Sequence, residues 1–307
     1  MGNSTWSNDA YQNLSASYKT KSTDQIFKNN TSKQAQSDML PSGVKFRESR
    51  DSDAHPNTIA VEVFLDVTGS MGRIPEVMVR EKLGKLMETL ISHDVKDAQV
   101  LFGAIGDHVT DSFPLQISQF ESGTDELNKW LTSVYLEGAG GGQARESYLL
   151  AWLFAARHTS IDCFEKRGQK GILFTIGDEA SWDNVTGQRL KDLMGYSASE
   201  GINDKDILSE VQRTHHVFHI HVNEGNYKDS PSILSYWKDL VGERLIVLED
   251  HTTIAEVIAS TVAVIHGLDL DTVLKSFDAS TASTVRNALV KVNTSVANSG
   301  GKNIIEL

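Results

Sequence analysis

The 307 residues suffice for one substantial core or two smaller ones, and with 39% hydrophobic and 23% charged residues the chain reads as folded rather than disordered or fibrous. Its 29 basic residues against 41 acidic ones leave a net charge of −12, a field that repels phosphate backbones and anionic membranes, so neither nucleic acid nor membrane is an expected partner. The single cysteine, Cys163, excludes an internal disulfide framework and a cysteine-rich zinc site, and it suits a reducing compartment.

Residues 1–57 are rich in Ser, Asn, Thr, Gln and Lys and show neither helical nor strand periodicity. They read as a polar N-terminal arm, either flexible or docked on its own domain or on a neighbouring copy, the last giving a homo-oligomer. The opening MGNSTWSNDAYQNL has no basic and apolar succession of the secretory kind, Trp6 breaks the myristoylation pattern, and no run approaches the roughly 20 apolar residues of a membrane span. A cytoplasmic location is the expectation.

From Thr58 short aliphatic runs alternate with amphipathic stretches. Strands are predicted at 59–67 (IAVEVFLDV), 98–107, 171–178 (GILFTIGD), 216–222 and 244–250, with an edge strand in VTDSFPLQI, where Pro114 disfavours a central place. Helices are predicted over 75–91, 124–131, 145–158, 204–213, 233–240 and 253–266, and a further one near 283–292. Alternating strands and helices call for an α/β fold with a Rossmann-like, doubly wound, mainly parallel sheet covered by helices on both faces. Residues 58–267 would form this domain, and 268–307 a C-terminal helix and tail.

Such sheets bind ligands at the carboxyl ends of their strands, and there the sequence places its chemistry. The first strand runs into DVTGSMG, in which Asp66, Thr68 and Ser70 alternate on a loop loosened by Gly69 and offer hard oxygen donors to Mg²⁺, Mn²⁺ or Ca²⁺. Asp178 ends the third predicted central strand and would stand beside that loop. Between them a Gly-rich stretch, residues 138–143, opens a helix and carries Gln143, with Glu146 three residues on. Taken alone, DVTGSM is also compatible with a helix N-cap and turn, Asp178 with a solvated turn, and the glycines with a flexible loop. His215, His216, His219 and His221 crowd one strand, but no zinc spacing is recognisable among the nearby carboxylates, so core or edge histidines are expected.

D-x-T-G-S-M after a first strand, a Gly-rich middle loop and an Asp after a later strand together resemble the von Willebrand factor A domain, over about residues 58–266. The resemblance implies a metal-ion-dependent adhesion site in which Thr68 and Ser70 touch the metal through hydroxyls, Asp66 and Asp178 bind directly or through water, and Gln143 fills the middle-loop position usually held by Thr. It implies a non-catalytic binding and assembly module of bacterial or phage type, whose partner protein supplies an acidic ligand to the metal. A ring-forming ATPase is a partner such relatives suggest; the chain itself has no GxxxxGK[ST] loop. Two alternatives remain. DVTGS also resembles the nucleophile loop of haloacid-dehalogenase-type phosphotransferases, with Asp66 attacking phosphorus, Lys170 steadying the phosphate and Asp178 with Asp183 holding Mg²⁺. The other is an oligomeric scaffold with a vestigial metal site.

Overall fold

The computed structural model describes residues 4–69, 71, 73–138, 143–195 and 200–292. Six strands form its main sheet: β1 (Ile59–Asp66), β2 (Ala98–Ile105), β3 (Leu115–Ile117), β4 (Gly171–Gly177), β5 (His215–Val222) and β6 (Leu245–Leu248). Their order is β6-β5-β4-β1-β2-β3, parallel throughout except for the antiparallel edge strand β3. The larger helices are α1 (Asn8–Tyr18), α2 (Leu83–Ser92), α3 (Thr124–Thr132), α4 (Tyr148–Arg157), α5 (Gly187–Met194), α6 (Asp204–Val211), α7 (Pro231–Val241), α8 (Ile254–Ile265) and α9 (Ala279–Leu289).

Period-two alternation divides the central strands between two cores. Val61, Val63 and Leu65 of β1, with Phe102 of β2, Phe174 of β4 and Ile220 of β5, pack against α1, α2, α3, α8 and α9. Ala60 and Phe64, with Leu101, Leu173 and Val217, meet α4, α6 and α7 on the other face. A buried parallel sheet needs both covers, because the βαβ crossovers lay helices on each side. Every residue of α8 is buried, and its sequence IAEVIASTVAVI is accordingly apolar nearly all round. The mixed α/β class with a mainly parallel sheet is therefore as the sequence predicts.

The departures are local. The helix predicted from residue 75 begins at Arg73 and is continuous through a π-helical turn, Met78–Lys82, into α2. The one predicted from 145 begins only at Tyr148, because Arg145–Glu146 first pairs in parallel with Ala180–Ser181. The polar N-terminal segment is folded onto the domain: α1 buries Tyr11 and Tyr18, Phe27 and Met39 enter the same core, and Arg47–Ser49 pairs with Thr159–Ile161. Composition hid this because a few well-spaced aromatic and sulfur side chains suffice to anchor an otherwise polar segment. At the other end Leu270–Leu274 and α9 add Val273, Leu274, Val285 and Leu289 to the core, so packing does not stop at residue 267.

Phe64 fills a space that only a missing side chain provides, since a Cβ on Gly103 of β2 would lie 2.2 Å from its Cδ1. Gly103→Ala is expected to cost about 1–3 kcal/mol by overpacking. Urea denaturation checks this, and an unchanged midpoint would mean that Phe64 repacks freely.

Candidate functional site

β1 and β4 deliver Asp66 and Asp178 to the same rim of the sheet, because neighbouring parallel strands end together: Leu65 is in register with Ile176, one residue short of each strand's last position. Both carboxylates are buried, Asp66 completely. Asp66 Oδ1 accepts bonds from the Thr68 amide at 2.8 Å and the Thr68 hydroxyl at 2.6 Å, and Oδ2 accepts from the Tyr148 hydroxyl at 3.1 Å. The tyrosine reaches across β4 over Gly177, where an added Cβ would meet its oxygen at 1.8 Å and Asp66 Oδ2 at 3.0 Å. Gly177 is thus required by a close approach of side chains, and its φ is unremarkable.

Glu146 comes to the rim from the short strand beside Ala180–Ser181 and is 1% exposed, with Oε2 buried and lacking a hydrogen-bond partner. Glu179 follows Asp178 directly. Burial raises Asp66, Glu146 and Glu179, and repulsion from neighbouring carboxylates raises them further. Asp66 is pushed up to about 7 by burial, held back by the bonds from Thr68 and raised further by the charge of Asp178. Glu146 is driven far above the carboxylate range by burial, then by Asp66, Glu179, Asp111 and Asp107. Glu179 rises to about 7 through burial and the charges of Asp66 and Asp178. Burial beside Asp66 also raises the Tyr148 hydroxyl. Asp107, at the end of β2, is otherwise engaged: it accepts from Trp182 Nε1 at 2.7 Å and from the Val109 amide at 2.9 Å.

Of the residues singled out from the sequence, Asp66, Thr68 and Asp178 are brought together. Ser70 lies outside the described residues, as do residues 139–142 of the Gly-rich loop. The loop's first glycine, Gly138, does meet the first loop, since a Cβ on Gly69 would lie 3.2 Å from its carbonyl oxygen. Gln143 is exposed, whereas Glu146 faces the acidic cluster. The histidines disperse through the sheet: His215 Nε2 sits 3.0 Å from Glu62 Oε1, His216 Nδ1 is 3.2 Å from Arg244, and His219 stacks on Trp237 with centroids 3.4 Å apart. Among the described residues, the group of three possible His, Cys or acid ligands with mutually close donor atoms is Glu224, Asp250 and His251, which follow β5 and β6.

The phosphotransferase arrangement is not assembled. Lys170 precedes β4, donates to the Gln212 carbonyl, and is separated from Asp178 by the length of that strand, about 26 Å for eight residues at about 3.3 Å each. Asp183 is exposed and pairs with Arg145.

No family model and no curated protein matches the sequence. Structural similarity was found to the pilus adhesin SpaC from Lactobacillus rhamnosus GG in its open conformation (TM-score 0.42, 7% identity, 79% of this chain and 31% of that one). A second SpaC structure gives a TM-score of 0.39 at 10% identity, covering 79% of this chain and 32% of that one. The adhesive tip pilin GBS104 from Group B Streptococcus agalactiae gives 0.35 at 10%, covering 65% of this chain and 97% of that one. The chain thus spans about a third of the length of SpaC. These names are pilus adhesin and tip pilin, so the von Willebrand factor A assignment expected from DVTGSM is corrected, and the metal-dependent protein-interaction module and adhesion site inferred from it fall with it. The motif misled because a strand, an Asx-type turn and a helix start use the same Asp, Thr, Gly and Ser for local hydrogen bonding. Sequence reasoning also missed Tyr148 and Gly177, whose roles depend on a helix and a strand meeting across a third element. No helix among the described residues is long and apolar enough to cross a membrane.

The acid cluster makes stability depend on pH with a definite sign. A carboxyl raised in the folded state, from 3.8 to about 7 for Asp66, contributes fully below its unfolded value, and that contribution is lost as pH rises through about 7. In chelator-treated protein the denaturation midpoint is expected to fall from about pH 5 to about pH 8, and Asp66→Asn to flatten the slope. A midpoint rising over that interval would contradict this.

Proposed function

We propose that this chain is a divalent-cation-binding α/β domain, with the ion held at the carboxyl rim by Asp66, Asp178 and Glu146. The observation that carries this reading is Glu146: its Oε2 is buried with no hydrogen-bond partner, and its strongest electrostatic neighbours are all carboxylates. An isolated buried carboxylate costs several kcal/mol, so the cluster must either hold protons or meet a positive charge. Oxygen-only donors of this kind favour a hard ion, Mg²⁺ first, with Mn²⁺ or Ca²⁺ as alternatives.

Thr68 supports the site from behind, fixing Asp66 Oδ1 with its amide and hydroxyl, while Tyr148 fixes Oδ2. Gln143, being exposed, has no part in this donor set. A bound ion would supply the charge that lets the three carboxylates ionise together near neutral pH. The role is binding rather than catalysis, since Asp66 is fully enclosed and the cationic Lys170 lies at the opposite rim.

Calorimetry and thermal denaturation with Mg²⁺ and Mn²⁺ test this on wild type, Asp66→Ala and Glu146→Gln. Saturable binding is expected in wild type, worth about 2.7 kcal/mol of stability at an ion concentration 100 times the dissociation constant, and at least tenfold weaker binding, about 1.4 kcal/mol, in either variant. Absence of heat and of stabilisation in wild type at millimolar ion would overturn the reading. Phosphate release from a generic ester, lost in Asp66→Ala, would replace it with catalysis.

A further inference from the structure

The helix that leaves the Asp66 loop contains a defect, and the N-terminal segment is built around it. From Arg73 the chain is α-helical to Val77, passes through the π-helical turn Met78–Lys82, where the Leu83 amide bonds to the Met78 carbonyl five residues back, and resumes as α2. A π-turn is one residue inserted into an α-helix, and it leaves main-chain groups around it without their ordinary partners.

Side chains of α1 address those groups. The Tyr11 hydroxyl donates to the Val79 carbonyl at 3.4 Å. Ser15 Oγ donates to the Arg80 carbonyl, the group that Gly84 would use in an uninterrupted α-helix. The Tyr11 ring lies on Gly84, where an added Cβ would come within 2.2 Å of Cε1, so the socket exists only for glycine.

The clasp is reciprocal. Arg80, inside the π-turn, donates to the Tyr18 and Lys21 carbonyls at the end of α1 and pairs with Glu76 at 2.7 Å, and Glu76 accepts from Thr23 at 3.0 Å. The arm is anchored a second time on α3, where the Ser7 amide donates to Thr124 at 2.8 Å and Tyr18 to Asn128 at 2.8 Å.

We propose that α1 is a strap that holds the helix after the Asp66 loop in its π-turn register, so that docking of the N-terminal segment sets the position of that loop. When the strap lifts, the turn resolves into α-helix and residues 73–77 rotate by about 100° and shift by about 1.5 Å relative to α2. The Asp66 loop ends where that segment starts, so it moves with it. The cation-regulating step rests on the reading of the acidic rim given above; the coupling between strap and loop does not.

Hydrogen exchange by mass spectrometry on full-length protein tests the coupling, using Tyr11→Phe/Ser15→Ala, which removes the two hydroxyls, and Gly84→Ala, whose Cβ evicts the ring. In both variants residues 8–18 and 67–83 are expected to exchange about tenfold faster, with 172–176 unchanged, because a segment opens more often once the bonds and packing that hold it closed are removed. Faster exchange in 8–18 with wild-type protection in 67–83 would overturn the coupling, and wild-type protection of 8–18 in both variants would overturn the strap. Mn²⁺ alone is titrated in parallel: several-fold weaker binding is expected wherever 67–83 loosens, and unchanged affinity there would overturn the regulatory step. Should wild type fail to bind Mn²⁺, the cation reading falls while the exchange data still decide the coupling.

Discussion

Negative charge gathered inside the protein is the constraint on which the carboxyl rim depends. Asp66, Glu146 and Asp178 are each at most 1% exposed, and Glu179 stands next to them. The surrounding architecture keeps them there. β1 and β4 end in register, Gly177 clears a path for the Tyr148 hydroxyl, and the two-residue ladder of Arg145–Glu146 with Ala180–Ser181 carries Glu146 inward before α4 begins. Each device is ordinary by itself. Their convergence brings the acids within range of one another, where burial and repulsion act in the same direction on Asp66, Glu146 and Glu179.

Protons and cations are alternative solutions to one electrostatic problem, and they compete. At low pH the carboxyls share protons and the cluster is tolerated; as pH rises the apo form must accommodate charges that a divalent ion would neutralise. Stability, proton affinity and ion affinity are therefore three views of one buried group of residues. The π-turn after the Asp66 loop adds a mechanical side, because Tyr11, Ser15 and Arg80 tie the position of the helix to a segment distant in sequence.

The strands were legible because β1 and β4 are short, mainly apolar runs of the length a doubly covered sheet requires, and α8 likewise declared itself by composition. Asp66 and Asp178 were legible because position at a parallel strand's end fixes which rim a residue occupies. Other features were not. A π-turn has no signature in MVREK that separates it from plain helix, and the arm's anchors Tyr11, Leu14 and Tyr18, though helically spaced, are too few among polar residues to stand out. Choosing Gln143 over Glu146 by loop position failed to anticipate the Ala180–Ser181 pairing that turns Glu146 inward, a tertiary contact invisible to local pattern. The family expected from DVTGSM was the largest error, since a short motif shared by turns and binding loops cannot by itself carry an assignment over a whole domain.

Residue-resolved carboxyl titration by ¹³C NMR tests the central claim most directly, with Asp66, Glu146 and Glu179 followed in chelator-treated protein and again in saturating Mg²⁺. Without the ion, all three should titrate well above the ordinary carboxylate range, Glu179 near 7 and Glu146 highest, and the ion should move Asp66 and Glu146 sharply downward. Ordinary values of about 4 in the ion-free protein, unchanged by Mg²⁺, would contradict the account at its root.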